Sequence, residues 1–159
     1  QWLLEKMAGV GSVLEIGSRG GNNLRCFAAA CREGAKIRSI ELVDHGGKLG
    51  ETIADLHKHG FDADYLIQNS QSPRAWQWAH DNGPFDFVFI DGDHSYYATL
   101  ADWMMYGTLG KHVGIHDIHH PQGPSQLWQE IKAAKYVTEE IHEGYDIMGI
   151  GLVHMPRKE

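Results

Sequence analysis

The chain has 159 residues, 42% of them hydrophobic and 22% charged, and a net charge of −7 with histidine neutral. This length supports one compact domain with its own core, so we expect a single domain over residues 1–159. The acidic balance argues against a dedicated nucleic-acid surface, and the absence of an apolar run of about 18 residues argues against a membrane span. Without a signal-peptide pattern, a cytoplasmic location is expected. The abrupt start at Gln1 is compatible with a fragment or a minimal version of a longer protein.

Strand and helix patterns alternate along the first half of the chain. The short apolar run Ser12–Ile16 predicts a strand. The next helix has apolar residues at i, i+3, i+4 and i+7 from Leu24, and Asn22 or Asn23 is expected to cap it. The further predicted elements here are a strand at Lys36–Val43, a helix around Leu49–Leu56, a strand at Asp64–Gln68 and a helix that begins at Ser72-Pro73.

The second half begins with an apolar run at Phe85–Ile90, which is typical of a strand buried on both faces. The later predicted elements are a helix at Tyr97–Tyr106, a strand at His112–Ile118, a helix around Leu127–Ile131 and two strands at Tyr136–Ile141 and Ile147–Met155. The short junction of the last two strands predicts that they are antiparallel. The fold class is therefore α/β: a Rossmann-like, doubly wound, mostly parallel seven-stranded sheet with an antiparallel C-terminal strand pair and helices on both faces.

A glycine-rich turn (EIGSRGG, starting at Glu15) joins the first predicted strand to the first predicted helix. Glycines allow a tight turn and close approach of a ligand, although a tight turn without a ligand is the alternative. Arg19 stands where a dinucleotide turn has its second glycine, and Glu15 would repel a pyrophosphate but attract an ammonium group. The turn thus favours a small zwitterionic nucleoside over NAD. The second strand is expected to end near Glu41 or Asp44, and Glu41 is expected to bind ribose hydroxyls, with Asp44 as the competitor.

Titratable residues follow two predicted strands that we expect to be neighbours. Asp91, Asp93 and His94 follow the fourth strand, and His116 and Asp117 end the fifth. Adjacent strand ends lie about 5 Å apart, so these side chains should converge. Closely packed acids need a counter-charge, and a divalent cation is one solution: carboxylates suit Mg²⁺, and imidazoles also permit Mn²⁺, Fe²⁺ or Zn²⁺. The alternative is that the acids cap loops.

Five segments together resemble class I S-adenosylmethionine-dependent methyltransferases: VLEIGSRGG, SIEL, QNSQSP, FDFVFIDGDHSY and HVGIHDI. The similarity spans about residues 12–155. It is greatest to the small-molecule O-methyltransferases that resemble macrocin O-methyltransferase and cephalosporin hydroxylase-like proteins. The resemblance implies transfer of a methyl group from S-adenosylmethionine to an oxygen of a small molecule or sugar, with possible metal assistance.

Residue roles follow from the resemblance by position. The methionine part of the cofactor falls near the glycine turn, the ribose near Glu41, and the adenine near Asn69 and Ser70. The cofactor-binding residues that it implies are Glu15, Gly17, Ser18, Arg19, Gly21, Glu41, Asn69, Ser70 and Asp91. The implied metal ligands are Asp91, His116 and Asp117, and His116 departs from the acid that metal-using relatives have there.

An alcohol or phenol acceptor must lose its proton during methyl transfer, so a positioned base helps. His94 is the first candidate, because an imidazole ordinarily titrates near neutrality, and Asp93 is the second. Two other functions stay open: a catalytically silent nucleoside-binding domain, and an NAD-dependent oxidoreductase, which Glu15 and Arg19 disfavour. The expected partner is a small-molecule acceptor, without nucleic acid or membrane. A homo-oligomer in which a neighbour closes the pocket is compatible with the short chain.

Overall fold

A computed structural model describes residues 1–121, 123–141 and 148–156. The strands are β1 (Ser12–Ile16), β2 (Lys36–Glu41), β3 (Asp62–Ile67), β4 (Phe85–Ile90), β5 (Gly110–His116), β6 (Val137–Ile141) and β7 (Ile150–His154). The helices are α1 (Trp2–Lys6), α2 (Asn22–Ala30), α3 (Lys48–Lys58), α4 (Pro73–Asn82), α5 (Tyr96–Tyr106) and α6 (Pro124–Ala133), and a short 3₁₀ turn at Gly107–Leu109 follows α5. Among the described residues, none of the helices has the length and apolarity needed to cross a bilayer.

The strands form one seven-stranded sheet in the order β3-β2-β1-β4-β5-β7-β6. Strands β1 to β5 pair in parallel, and β7 is antiparallel to both β5 and β6. The predicted fold class is therefore confirmed. The junction between the last two strands, residues 142–147, lies outside the described residues. The chain order reverses between β1 and β4, and such a switch point is where open α/β sheets bind ligands.

Each face of the sheet has its own hydrophobic core, because side chains alternate along every strand. On β4, Phe87 and Phe89 face α1, α2 and α3, where both rings contact the edge of Phe27. Val88 and Ile90 face the opposite core, which α4, α5 and α6 cover. The same alternation places the side chain of Glu15 of β1 on the α2 side of the sheet. Its chain neighbours Leu14 and Ile16 are buried in the core of the opposite face.

Several boundaries differ from the predictions, and for three of them the structure shows a local feature at the boundary. Strand β2 ends at Glu41, because its carboxylate accepts hydrogen bonds from the N–H groups of Leu42 (2.8 Å) and Val43 (3.3 Å) and turns the chain away from the sheet. Strand β5 ends at His116, and Asp117 leaves it with φ of 59°. The predicted asparagine cap of α2 is wrong: Gly21 occupies the N-cap position with φ of 81° and no side-chain hydrogen bond.

Candidate active site

A pocket of about 790 Å³ opens at the carboxyl ends of β1, β2, β4 and β5. This volume is in the range of small-molecule and cofactor sites. The predicted site residues that line it are Gly17, Ser18, Arg19, Glu41, Asn69, Ser70, Asp91, Asp93, His94, His116 and Asp117. Two predicted residues do not line it: Gly21, which is the N-cap of α2, and Glu15, which lies beneath the glycine turn. The sheet thus brings almost all of the predicted site together.

Glu15 is a fully buried carboxyl group directly behind the pocket. Its Oε1 accepts a hydrogen bond from the Asn23 amide (3.0 Å), whereas its Oε2 has no hydrogen-bond partner among the described residues. Burial raises the pKa of Glu15 to about 8, and the nearby Asp91 and Glu41 charges add to that rise against hydrogen bonds that lower it. Such a carboxyl group can accept a proton or a cationic group of a ligand.

Asn23, predicted only as a possible helix cap, also lines the pocket. It lies in the first turn of α2, and its amide nitrogen donates to Glu15 (3.0 Å) and also approaches Asp91 Oδ2 at 3.3 Å. A side-chain amide carries two N–H donors and no charge, so it can bridge two acids without adding repulsion. Asn23 therefore links the carboxyl group behind the glycine turn to the one that follows β4.

The raised pKa of Glu15 makes the stability of the protein depend on pH. Folding favours its neutral form, so its contribution is complete below the ordinary value of 4.5 and is lost as the pH rises through about 8. Between pH 6 and pH 9, with chelator present, wild type should lose about 2–3 kcal/mol more unfolding free energy than Glu15→Gln, which stays neutral. Urea unfolding of both proteins measures this difference. Parallel pH profiles would contradict the assignment of a protonated Glu15.

Gly17 allows the turn after β1 to pass against the residue that follows β4. Its φ is 87°, and a Cβ atom there would lie 2.3 Å from the backbone oxygen of Asp91. Its N–H donates to the Ile40 carbonyl (2.9 Å), and the Asp91 N–H donates to the Ile16 carbonyl (2.9 Å). The sheet hydrogen bonding thus continues one residue past the strand ends and sets the floor of the pocket.

Replacement of Gly17 by alanine should lower the free energy of unfolding much more than a replacement that adds backbone strain alone. We expect Gly17→Ala to lower the free energy of unfolding by about 2–4 kcal/mol, through the positive φ and the overlap with Asp91. The matched control is Gly34→Ala, where φ is 69° and nothing lies within 4 Å of the added Cβ, so about 1 kcal/mol is expected. Urea unfolding gives both values, and equal losses would show that the close approach does not matter.

Glu41 organises the opposite wall of the pocket. Besides the N–H groups of Leu42 and Val43, its carboxylate accepts the N–H of Arg19 at 2.5 Å, which joins the end of β2 to the glycine turn. Ser18 lies below this contact, with its hydroxyl 2.5 Å from that of Ser39. Asp44, the competitor for the ribose, accepts the N–H of Gly47 and does not line the pocket. The position of Glu41 fits the ribose role better.

The turn after β3 forms the end of the pocket near Glu41. The Asn69 side-chain oxygen accepts the N–H of Gln71 (2.8 Å), so the amide stabilises its own turn. The Ser70 hydroxyl donates to Asp102 of α5 (2.7 Å), and the Ser70 carbonyl accepts the Tyr106 hydroxyl. The predicted adenine-contacting roles of Asn69 and Ser70 stay predictions, and their polar groups already hold the turn in shape.

Asp91, His116 and Asp117 form the acid cluster predicted after β4 and β5. His116 Nδ1 lies 3.2 Å from Asp91 Oδ1 and 2.9 Å from Asp117 Oδ1. Burial alone would lower the pKa of His116, but the two carboxylates outweigh it and the pKa is raised. Despite these short distances, neither His116 Nδ1 nor Asp117 Oδ1 makes a well-aligned hydrogen bond within the described part of the chain.

The acid cluster fits a divalent cation. One ligand atom from each of its three residues can lie within 4.8 Å of the others, and Asp117 is buried. Buried polar atoms without a hydrogen-bond partner, such as His116 Nδ1 and Asp117 Oδ1, need an explanation, and a bound ion is one. Two carboxylates and one imidazole suit Mn²⁺, Fe²⁺ or Zn²⁺ as well as Mg²⁺.

The two candidate bases lie in different surroundings. His94 Nε2 is 3.2 Å from Asp117 and 3.7 Å from Asp91, beside the acid cluster. Asp93 is exposed at the rim, and its carboxylate accepts the N–H of Ser95 at 2.7 Å ahead of α5. Hydrogen bonding to Ser95 lowers the pKa of Asp93, which makes it a weaker base. The geometry therefore favours His94.

Residues 14–118 match the sequence family described as a methyltransferase domain. No curated protein matches the chain. Among solved structures, an O-methyltransferase from Bacillus cereus in complex with S-adenosylhomocysteine is 18% identical, covering 97% of this chain and 78% of its own, with a TM-score of 0.70. The O-methyltransferase TomG from Streptomyces achromogenes is 19% identical over 96% of this chain and 76% of its own, with a TM-score of 0.65. An rRNA methylase from Streptococcus thermophilus is 12% identical, covering 98% of this chain and 93% of its own, with a TM-score of 0.69.

Proposed function

The chain belongs to the methyltransferase domain family, and from this membership we propose that it methylates an oxygen atom of a small molecule. Membership confirms the predicted resemblance and, with it, methyl transfer that depends on S-adenosylmethionine. The observation that carries the choice of oxygen is the position of His94. His94 Nε2 lies 3.2 Å from Asp117. A carboxylate at this distance stabilises an imidazole that takes up a proton from the acceptor hydroxyl.

The pocket offers complementary groups for each part of S-adenosylmethionine. Glu41 has a buried carboxylate at the end of β2, suited to the ribose hydroxyls, and the turn at Asn69 and Ser70 lies next to it for the adenine. The glycine turn and the carboxyl group of Glu15 behind it suit the amino-acid part, whose ammonium needs an acidic partner. The B. cereus O-methyltransferase carries S-adenosylhomocysteine on the same fold, which supports this placement.

The proposed reaction is a direct displacement at the sulfonium methyl group. The acceptor oxygen attacks the methyl carbon, the carbon–sulfur bond breaks and its electron pair stays on sulfur, and the hydroxyl proton moves to His94. The pocket holds both reactants in line, which is the main contribution of the protein to such a transfer. The carboxylates of Asp91 and Asp117 stabilise the imidazolium that forms.

Asp91, His116 and Asp117 would hold the divalent cation. When bound, such a cation lowers the pKa of a hydroxyl that coordinates it and orients the acceptor oxygen. Asp117 is suited to a ligand role, because its carboxylate is buried and lies 2.9 Å from His116 Nδ1. In this proposal Asp91 contributes to both the cofactor site and the cation site. It accepts a hydrogen bond from Asn23 on the cofactor side and lies close to His116 on the cation side.

The fold by itself does not identify the acceptor, because the rRNA methylase and the B. cereus O-methyltransferase have similar TM-scores to this chain. The net charge of −7 disfavours an RNA acceptor, since binding to phosphates relies on basic groups. The test is a methyl-transfer assay with labelled S-adenosylmethionine against phenols, catechols, sugars and total RNA. Labelled phenol, catechol or sugar product supports the proposal, and label in RNA alone contradicts it.

A further inference from the structure

Helix α5 carries one charged residue, Asp102, and it points into the protein. The helix sequence YYATLADWMMY is otherwise uncharged, and Asp102 is only 1% exposed. Burial raises the pKa of Asp102 to about 6, and its hydrogen bond from Ser70 acts against that rise while the nearby Asp93 adds to it. A carboxylate in such a place is costly unless polar partners satisfy it, so its partners define what it does.

Among the residues that the structure describes, Asp102 makes its hydrogen bond to Ser70, in the turn after β3, and not within its own helix. The Ser70 hydroxyl donates to Asp102 Oδ1 at 2.7 Å, and the Tyr106 hydroxyl, one turn further along α5, donates to the Ser70 carbonyl. Helix α5 therefore holds Ser70 by both its side chain and its backbone. The turn is closed on itself by the N–H groups of Gln71 and Ser72, which both donate to Asn69.

The second oxygen of Asp102 faces the other side of the pocket. A Cβ atom on Gly92 would lie 3.2 Å from Asp102 Oδ2, so the carboxyl group packs against the residue that follows Asp91. Asp102 is thus situated between two loops that both line the pocket, the turn at Asn69 and Ser70 and the segment at Asp91 and Gly92. One buried group therefore lies against both loops.

We propose that Asp102 is a positioning residue that holds the turn formed by residues 69–71 in the conformation that accepts the adenine of the cofactor. The proposal rests on the function proposed above, which assigns this end of the pocket to adenine. Asp102 does not touch the ligand and acts through Ser70. Without its hydrogen bond the turn must be ordered at the moment of binding, and that cost lowers affinity.

Two variants of nearly equal size separate the hydrogen bond from the packing. Asp102→Asn keeps an oxygen that accepts from Ser70, whereas Asp102→Leu does not. By calorimetry with S-adenosylhomocysteine, Asp102→Leu should raise Kd about tenfold and Asp102→Asn less than about threefold. At saturating S-adenosylmethionine kcat should stay within about twofold, so the defect appears in KM. Amide hydrogen exchange of Gln71 and Ser72, measured without ligand, should accelerate in Asp102→Leu alone.

Should Asp102→Leu fail to fold, Ser70→Ala removes the same hydrogen bond from the turn and should give the same tenfold rise and faster exchange. The matched control is Asp86→Leu, which removes a carboxylate that accepts the Gly11 N–H (2.8 Å) at the amino end of β4. It should leave Kd and the exchange of the turn unchanged. The proposal would be overturned if Asp102→Leu had the Kd and the hydrogen-exchange rates of wild type. An equal rise of Kd in Asp86→Leu would also overturn it. Absence of S-adenosylhomocysteine binding by wild type would refute the proposed function instead, and hydrogen exchange would still decide whether Asp102 holds the turn.

Discussion

Replacement of His94 by glutamine is expected to lower kcat by about 10²–10³ with a phenol acceptor of ordinary acidity. Glutamine preserves the approximate length and polarity of the side chain but cannot take up a proton. The Kd for S-adenosylhomocysteine should stay within about threefold, because His94 lies on the acceptor side beside Asp117 and not at the glycine turn. Steady-state kinetics with calorimetry on the same preparation measures both quantities.

The acidity of the acceptor provides an internal control for this role. A phenol that is already ionised at the assay pH needs no base, so the defect of His94→Gln should shrink as the pKa of the acceptor falls. Asp93→Asn is the matched variant, because asparagine can still accept the Ser95 N–H that Asp93 accepts at 2.7 Å. A large loss of kcat in Asp93→Asn with normal activity in His94→Gln would reverse the assignment.

Removal of divalent cations is expected to lower turnover about 100-fold, since a bound cation supplies several kcal/mol of charge stabilisation. Activity should return with Mg²⁺ or Mn²⁺ added after the chelator. Asp117→Asn removes the charge of one ligand and His116→Ala removes one ligand from the acid cluster, so both variants should need far more cation for half-maximal activity. Titration of activity with each metal measures this requirement.

His116→Asp tests whether the imidazole tunes the choice of cation. An all-carboxylate cluster prefers Mg²⁺, whereas an imidazole adds affinity for Mn²⁺, Fe²⁺ and Zn²⁺. We therefore expect His116→Asp to move the preference of the enzyme from Mn²⁺ toward Mg²⁺ with the protein otherwise unchanged. Full activity of wild type in excess chelator would show that the cation takes no part in the mechanism. Proton transfer would then depend on His94 and the carboxylates of Asp91 and Asp117.

The acid cluster was predictable because a sheet imposes its geometry on strand ends. Apolar runs identified β4 and β5, and parallel pairing then required Asp91, His116 and Asp117 to meet at one edge. The glycine turn was predictable for the same reason, since it directly follows β1. The fold class and the family followed from these segments together.

The remaining parts of the site depend on how helices pack, which sequence periodicity does not determine. Asn23 reaches Glu15 and Asp91 only because α2 begins at Asn22, directly after the Gly21 cap, and presents its first turn to the sheet edge. Asp102 is a single polar residue in an apolar helix, and its partner Ser70 is distant in sequence. The end of β2 was predictable only to within Glu41 or Asp44, because its position depends on the Glu41 carboxylate, which accepts the N–H groups of Leu42 and Val43.

Binding of S-adenosylhomocysteine to wild type and to Glu41→Ala decides whether the pocket is a site for S-adenosylmethionine. Wild type should bind it with measurable heat and a rise in melting temperature, whereas NAD should produce neither. Glu41→Ala should bind at least about tenfold more weakly, because the buried carboxylate would no longer meet the ribose hydroxyls. Absence of heat and of a thermal shift with wild type, or tight binding of NAD in its place, would contradict the account.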